Sequence, residues 1–248
     1  MFNIFSKSKK ELPAKVDFSL LKTDMHSHLL PGIDDGSPDM ETSLRLVKGM
    51  AEMGFTKLIT TPHIMWDMFR NNSEIILEKL DLLRAAIKER GLDIEVHAAA
   101  EYFLDEHVEQ LLQKNEKLLT ISGNMVLVEF SLAYPSHSLK DILFAMQMQG
   151  YQPVIGHPER YTYLEHNKEF YDELKDIGCL FQLNLLSLGP YYGKSVHALS
   201  QYLIKKGYYE LVGTDLHHHR HLEGLQSSAL GSPLRKLIEA GTIRNDQL

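Results

Sequence analysis

One cysteine in 248 residues is the first constraint. A single Cys179 allows neither an internal disulfide framework nor a cysteine-rich structural zinc site. It opens CLFQLNLL, an apolar run with no basic residue near it and no phosphate-cradling loop ending in arginine behind it. Nothing there would lower its pKa, so a cysteine-nucleophile mechanism is excluded and Cys179 is assigned to the core. Long apolar runs are also missing: none approaches the length of about 20 residues that a bilayer-spanning helix needs. Positive charge is in deficit, with a formal net charge of -7. That balance, with no basic stripe, argues against a nucleic-acid binder working by phosphate neutralisation. It argues less against a metalloenzyme, because clustered acidic ligands lower the count and bound cations restore it. No repeat or low-complexity segment is present.

What remains is an ordinary globular composition, 44% apolar and 24% charged, long enough to bury one barrel-sized core. The opening MFNIFSKSKKELPAKVD sets Lys7, Lys9, Lys10 and Lys15 beside Phe2, Ile4 and Phe5. It lacks the apolar centre of a secretory signal. Residues 1–18 are read as an N-terminal extension and 19–248 as a single domain. The sharper alternative for the extension is a weak contact with an acidic membrane surface or partner. A cytoplasmic location is the default expectation, and no feature sets the assembly state.

Short apolar runs alternate with segments of helical period. Strands are expected over 21–26, 57–61, 94–100, 125–129, 152–156, 179–184 and 210–214. Helices are expected over 39–53, 73–90, 105–115, 138–149, 165–177, 193–206 and 226–240. Gly54, Gly91, Gly150, Gly178 and Gly207 each follow a helix, as C-terminal caps do. Seven β–α pairs without a linker predict an α/β fold with a parallel sheet closed into a barrel.

The chemistry collects at the strand ends. TDMHSHLLPGIDDG brings His26, His28, Asp34 and Asp35 to the end of the first strand, and TTPH brings His63 to the second. Glu101 and Glu129 end the third and fourth, His157 in IGHPER the fifth, and Asp215 and His217 in GTDLHHHRH the seventh. The sixth offers only Asn184. Each alone has a bland explanation: a hydrogen-bonded histidine, a turn, a helix cap. A glutamate ending an apolar strand is harder to dismiss, because an unpaired buried carboxylate is costly. In a parallel barrel these ends converge on one face, and six of seven carrying an imidazole or carboxylate points to a metal site. Imidazole and carboxylate without thiolate suit Mn²⁺, Fe or Zn²⁺. The ligands outnumber what one ion can use, so two or three ions are expected, an arrangement suited to phosphate-ester hydrolysis. Arg160, three residues after His157, is either a guanidinium clamp for phosphate or a surface partner of Glu159 or Glu165.

The series HSH…DDG, TPH, two strand-end glutamates, GHPER and TDLH resembles the PHP (polymerase and histidinol phosphatase) superfamily. Within it, DMHSHLLPGIDDG followed by TTPH is most similar to the capsular-polysaccharide branch of bacterial tyrosine phosphatases, and the match runs from about residue 22 to 220. The resemblance implies a distorted (β/α)7 TIM-like barrel with a trinuclear, manganese-supported site. It would place His26, His28, Glu101 and Asp215 on one ion, with Glu101, Glu129 and His157 on a second. Asp35, His63 and His217 would take the third, Asp34 being left as a loop residue. It makes Arg160 a phosphate ligand. A second family arginine lies several residues after the final D-x-H; here the candidate is Arg220, which follows His217 by only three, among His218, His219 and His221, and so departs from the family's spacing.

The activity expected from this resemblance is hydrolysis of protein phosphotyrosine by metal-activated hydroxide, without a covalent phospho-enzyme, in capsule or exopolysaccharide control. The implied partner is the tyrosine-rich tail of a bacterial kinase. A phenolate of pKa about 10 leaves without a strong acid; His217 or a neighbouring histidine is the candidate proton donor. The competing readings are a small-molecule phosphatase such as histidinol phosphatase, and a non-catalytic metal-binding interaction protein. Tyr134, Tyr191 and Tyr192, and Trp66 with Phe69, lie in loops on the same face, either as loop anchors and packing or as walls for a substrate ring.

Overall fold

Alternation along each strand divides the core in two. Leu58, Val126, Val128, Ile155 and Val212 pack outward under the helices, whereas Met25, Ile59, Ala99, Leu127, Val154 and Leu211 form a separate cluster enclosed by the strands. The side-chain period of two causes this division. Continuing the inner parity two residues further along the chain reaches Glu101, Glu129 and Gly213, so each strand passes from an apolar plug to the polar end of the same interior.

The computed structural model describes residues 17–134, 138–227 and 230–248. The lysines and apolar residues before position 17, and Pro135, Ser136 and His137, lie outside the described residues. In chain order the first half contains β1 (Thr23–Asp24), α1 (Met40–Glu52), β2 (Lys57–Thr60), β3 (His63–Ile64), α2 (Ser73–Glu89), β4 (Glu95–Ala98), β5 (Glu101–Phe103) and α3 (Glu106–Gln113). The second half contains β6 (Met125–Glu129), α4 (Leu139–Met148), β7 (Gln152–Gly156), α5 (Glu169–Asp176), β8 (Leu180–Asn184), α6 (Lys194–Lys206), β9 (Tyr209–Gly213), α7 (His219–Leu225) and α8 (Gly231–Glu239).

All named strands pair in parallel, in the orders β1-β2-β4 and β3-β5-β6-β7-β8-β9. The chain passes directly from β2 to β3 and from β4 to β5, which joins the two sheets. The last gap closes where Ser27 bridges Leu216, the His28 amide donates to the Leu216 carbonyl at 2.9 Å and the Asp215 amide to that of His26 at 2.8 Å. The expected barrel is therefore present. Side-chain oxygens of Asp39, Asn72 and Asp105 cap α1, α2 and α3 by accepting from the backbone three residues on.

Four expectations need correction. The second and third strands are each broken, at Thr61-Pro62 and Ala99-Ala100; Pro62 has no N–H to continue the ladder. The helix expected over 165–177 starts at Glu169, after a tight turn at Thr162–His166. The helix expected over 226–240 is α8, and the histidine run before it is itself helical, as α7, with Leu222 and Leu225 buried. Phe18, assigned to the extension, is fully buried and stacks on Phe55 at 5.2 Å. Among the described residues, no helix is long and apolar enough to cross a membrane.

Candidate metal centre

Glu101 begins β5, has no solvent exposure, and is surrounded by imidazoles. Its Oε2 lies 3.1 Å from Nε2 of His26, 3.3 Å from Nε2 of His28 and 3.4 Å from Nδ1 of His63; its Oε1 lies 3.1 Å from Nε2 of His157. The residue across the sheet leaves room for it: a Cβ on Gly156 would stand 3.1 Å from Oε1. Among the described residues, three groups of ligand atoms lie close enough to hold an ion: His26, His28 and Glu101; His63, Glu101 and Glu129; and His28, Asp35, His63 and His217. Glu101, common to two of the groups, is a carboxylate able to bridge ions, so these residues suit a multinuclear centre.

Asp215 and His157 stand at the edges of these groups. Asp215 Oδ1 is 3.4 Å from His26 Nε2 and 3.6 Å from His28 Nε2, while its Oδ2 accepts from Arg160 Nη1 at 2.7 Å and Asn184 Nδ2 at 3.0 Å. His157 Nε2 is 3.9 Å from Glu129 Oε2. Both take left-handed backbone angles, φ 34° for His157 and φ 50° for Asp215. Such conformations cost about 1–3 kcal/mol each in a side-chain-bearing residue and cluster at functional sites.

Neighbours orient the histidines. His26 Nδ1 donates to Gln182 Oε1 and His28 Nδ1 to Asp34 Oδ2, both at 2.8 Å, and His217 Nδ1 donates to the Asp215 carbonyl at 2.9 Å. Each such bond puts the proton on Nδ1 and turns the Nε2 lone pair into the site. The DDG turn thus divides its labour: Asp34, expected to be a loop residue, orients His28, whereas Asp35 Oδ1 faces Nε2 of His63 at 3.5 Å and of His217 at 3.4 Å.

Whether these residues fit metal ions can be judged from atoms left without partners. His63 Nδ1, Glu129 Oε1 and His157 Nδ1 are buried without a hydrogen bond, although the first two approach to 3.0 Å. Buried polar atoms rarely stay unpaired, and Glu129 Oε1 belongs to the carboxylate of a ligand group, where a cation would satisfy it. The field favours cations as well. Burial would lower the pKa of His26, yet Glu101 and Asp215 raise it to about 9. His63 rises to about 10 against the same opposition, through Glu129 and Glu101, and His217 to about 9, through Asp215 and Asp35. Hydrogen bonding from His217 holds Asp35 at about 2. Imidazolium protons are standing where cations would stand, and the donor set fits.

The centre forms the floor of a cavity of about 860 Å³. Arg160 reaches its wall, with the guanidinium carbon 4.8 Å from the centre of the Tyr192 ring. Glu159 is not its partner: that carboxylate is fully buried and accepts from Tyr209 Oη at 2.8 Å and the Asn184 amide at 3.0 Å. Arg220 is exposed and does not line the cavity; the next residue of α7, His221, does, because a helix turns each successive side chain by about 100°. His218 also lines it, while His219 is exposed. Gln182 had no reading in the sequence as a site residue; a glutamine flanked by apolar residues at an inner strand position was the available signal. His221 was marked only as one of the histidines beside His217.

The family model for capsular polysaccharide synthesis, CpsB/CapC, matches residues 22–228. The chain is 28% identical over 195 residues to tyrosine-protein phosphatase YwqE of Bacillus subtilis, covering 79% of this chain and 77% of that protein. It is 29% identical over 200 residues to tyrosine-protein phosphatase CpsB of Streptococcus pneumoniae, covering 79% and 82%. A structure from the crystallographic work on those two, described as unique metal-dependent tyrosine phosphatases, matches with a TM-score of 0.78 at 27% identity over 86% of each chain. Histidinol phosphate phosphatase from Lactococcus lactis, solved with zinc, L-histidinol and phosphate, shares the fold at 16% identity, with a TM-score of 0.54 over 93% of this chain and 94% of that one. Matched over most of its length, with the ligand groups gathered at the barrel mouth, the chain belongs to the CpsB/CapC family of capsular polysaccharide synthesis proteins.

Proposed function

We propose that the protein is a metal-dependent tyrosine-protein phosphatase acting in capsular or exopolysaccharide synthesis. The carrying observation is one buried carboxylate, Glu101, shared by two ligand groups beside an arginine that faces the same cavity. A scaffold has no reason to bury so many ionisable groups.

In this reading His26, His28, Glu101 and Asp215 hold one ion, Glu101, Glu129 and His157 a second, and Asp35, His63 and His217 a third. His63 serves only one ion, since a neutral imidazole offers one lone pair; Nε2, facing Asp35, is the nitrogen we assign. Manganese is the expected ion, with Fe or Zn²⁺ suited to the same donors. Bound divalent cations would lower the pKa of a coordinated water and neutralise phosphoryl oxygens. Arg160 binds the phosphate: its planar guanidinium is held on the Tyr192 face and pre-aimed by Asp215. His217, with Nδ1 on a carbonyl and Nε2 on Asp35, is a ligand rather than a proton donor. The phenolate leaving group, of pKa about 10, needs little proton help. The substrate is a phosphotyrosine protein; the tyrosine-rich tail of a bacterial kinase, met in the cytoplasm, belongs to the same proposal.

The test is turnover by metal-stripped protein of a phosphotyrosine peptide, with and without added Mn²⁺, beside histidinol phosphate. Manganese-dependent release from the peptide, lost in His63→Ala, is the expected result. Preference for histidinol phosphate would move the protein to small-molecule chemistry, and no turnover of either with metal bound would overturn the reading.

A further inference from the structure

Beside the ligands, the cavity is lined by apolar side chains of increasing exposure. Met65, Phe69 and Phe103 are half-buried near the floor, and the Phe69 ring stacks on His63 at 5.5 Å and 13°. Further out, Met68 is 68% exposed, Leu132 43% and Tyr134 69%. These three also line the cavity, and they come from two loops, after β3 and after β6. Large apolar side chains left open at the mouth of a polar site mark a surface meant to be covered. A phosphorylated ring reaching the ligands would lie along the inner wall, which leaves the outer three to whatever follows the ring out of the cavity.

We propose that Met68, Leu132 and Tyr134 form a subsite for an apolar side chain next to the phosphotyrosine, so that the enzyme selects apolar sequence around its target. This rests on the phosphatase reading and deepens it. An apolar neighbour buries area against the three side chains, whereas glycine buries almost none. The inner wall receives the ring in either case and contributes nothing to the distinction.

The experiment compares kcat/KM of the Mn²⁺-loaded full-length protein for two phosphotyrosine octapeptides, with leucine or with glycine on both sides, and for p-nitrophenyl phosphate. The wild type is expected to favour the leucine peptide over the glycine peptide by about tenfold, as partial burial of an apolar side chain would give. Met68→Ser and Leu132→Ser, on separate loops and both at exposed positions, should each reduce that ratio toward one. Circular dichroism establishes that each is folded. Equal rates on the two peptides in the wild type, or an undiminished ratio in both variants, would overturn the subsite while leaving the phosphatase in place. Wild type inactive on all three substrates would overturn both.

Discussion

The inner and outer parts of the ligand cluster use the same residue types in different surroundings. His26, His28 and Glu101 have no exposed side-chain surface, and Asp215 has 2%. On the outer side His63 is 11% exposed, His217 13% and Asp35 56%. The inner histidines are also fixed from behind by Gln182 and Asp34. The inner part is thus a dry, oriented cage whose charges must be balanced internally, and the outer part opens to the solvent through which a substrate arrives. Loss of an inner member should therefore cost more than loss of an outer one.

The widest separation is expected between Glu101→Gln and Asp35→Asn. Glu101 touches four histidines, so its replacement should lower phosphatase activity by about 10³-fold and reduce the metal retained after gel filtration, measured by elemental analysis. Asp35→Asn should cost about 10- to 100-fold and leave the inner ion in place. Equal losses in the two variants would dissolve the distinction. Next in size, Gln182→Leu and Asp34→Asn, which touch ligands without being ligands, should each weaken metal affinity by about 10- to 100-fold, read by competition with a chelating dye.

Proton linkage sharpens the same contrast. In metal-free protein His26, His63 and His217 keep their protons up to about 9, 10 and 9, whereas an unfolded histidine loses its proton near 6.5. The stability carried by these imidazolium–carboxylate contacts is therefore full below about 6.5 and lost as pH rises toward 9–10. The melting temperature of the metal-free protein should fall by several degrees across that window. Added Mn²⁺ should remove the fall, because cations replace the protons; a flat metal-free profile would contradict the assigned contacts. The smallest expected effect is Arg220→Ala, which should change kcat/KM by no more than about twofold, as for an exposed side chain away from the cavity.

Much of this was legible locally. β6 and β7 fall on the expected residues because MVLVE and QPVIG are short, apolar and bounded by turn residues. The predicted ligands gather because each closes a strand of one parallel barrel. Other features were not legible, for physical reasons. The helix HRHLEGL buries only two apolar residues, Leu222 and Leu225, too few to show a period before Gly49 is known to pack against Leu222. Asp34 reads as a turn residue because its bond to His28 crosses a loop whose path no spacing reveals. The breaks after β2 and β4 arise from how two sheets share the same chain.

By itself, the sequence determined the alternation that separates helix-facing from interior positions, the caps that stop the helices, and which strands end in an imidazole or a carboxylate. All of these are set by side chains within a few residues of one another. Only the tertiary structure decided which nitrogen of each histidine faces the site, that Arg160 pairs with Asp215 instead of a glutamate close by in sequence, and that His221 rather than Arg220 reaches the cavity. Those outcomes depend on distances across a closed barrel, between residues as much as 156 positions apart, and such distances exist only once the last strand has met the first.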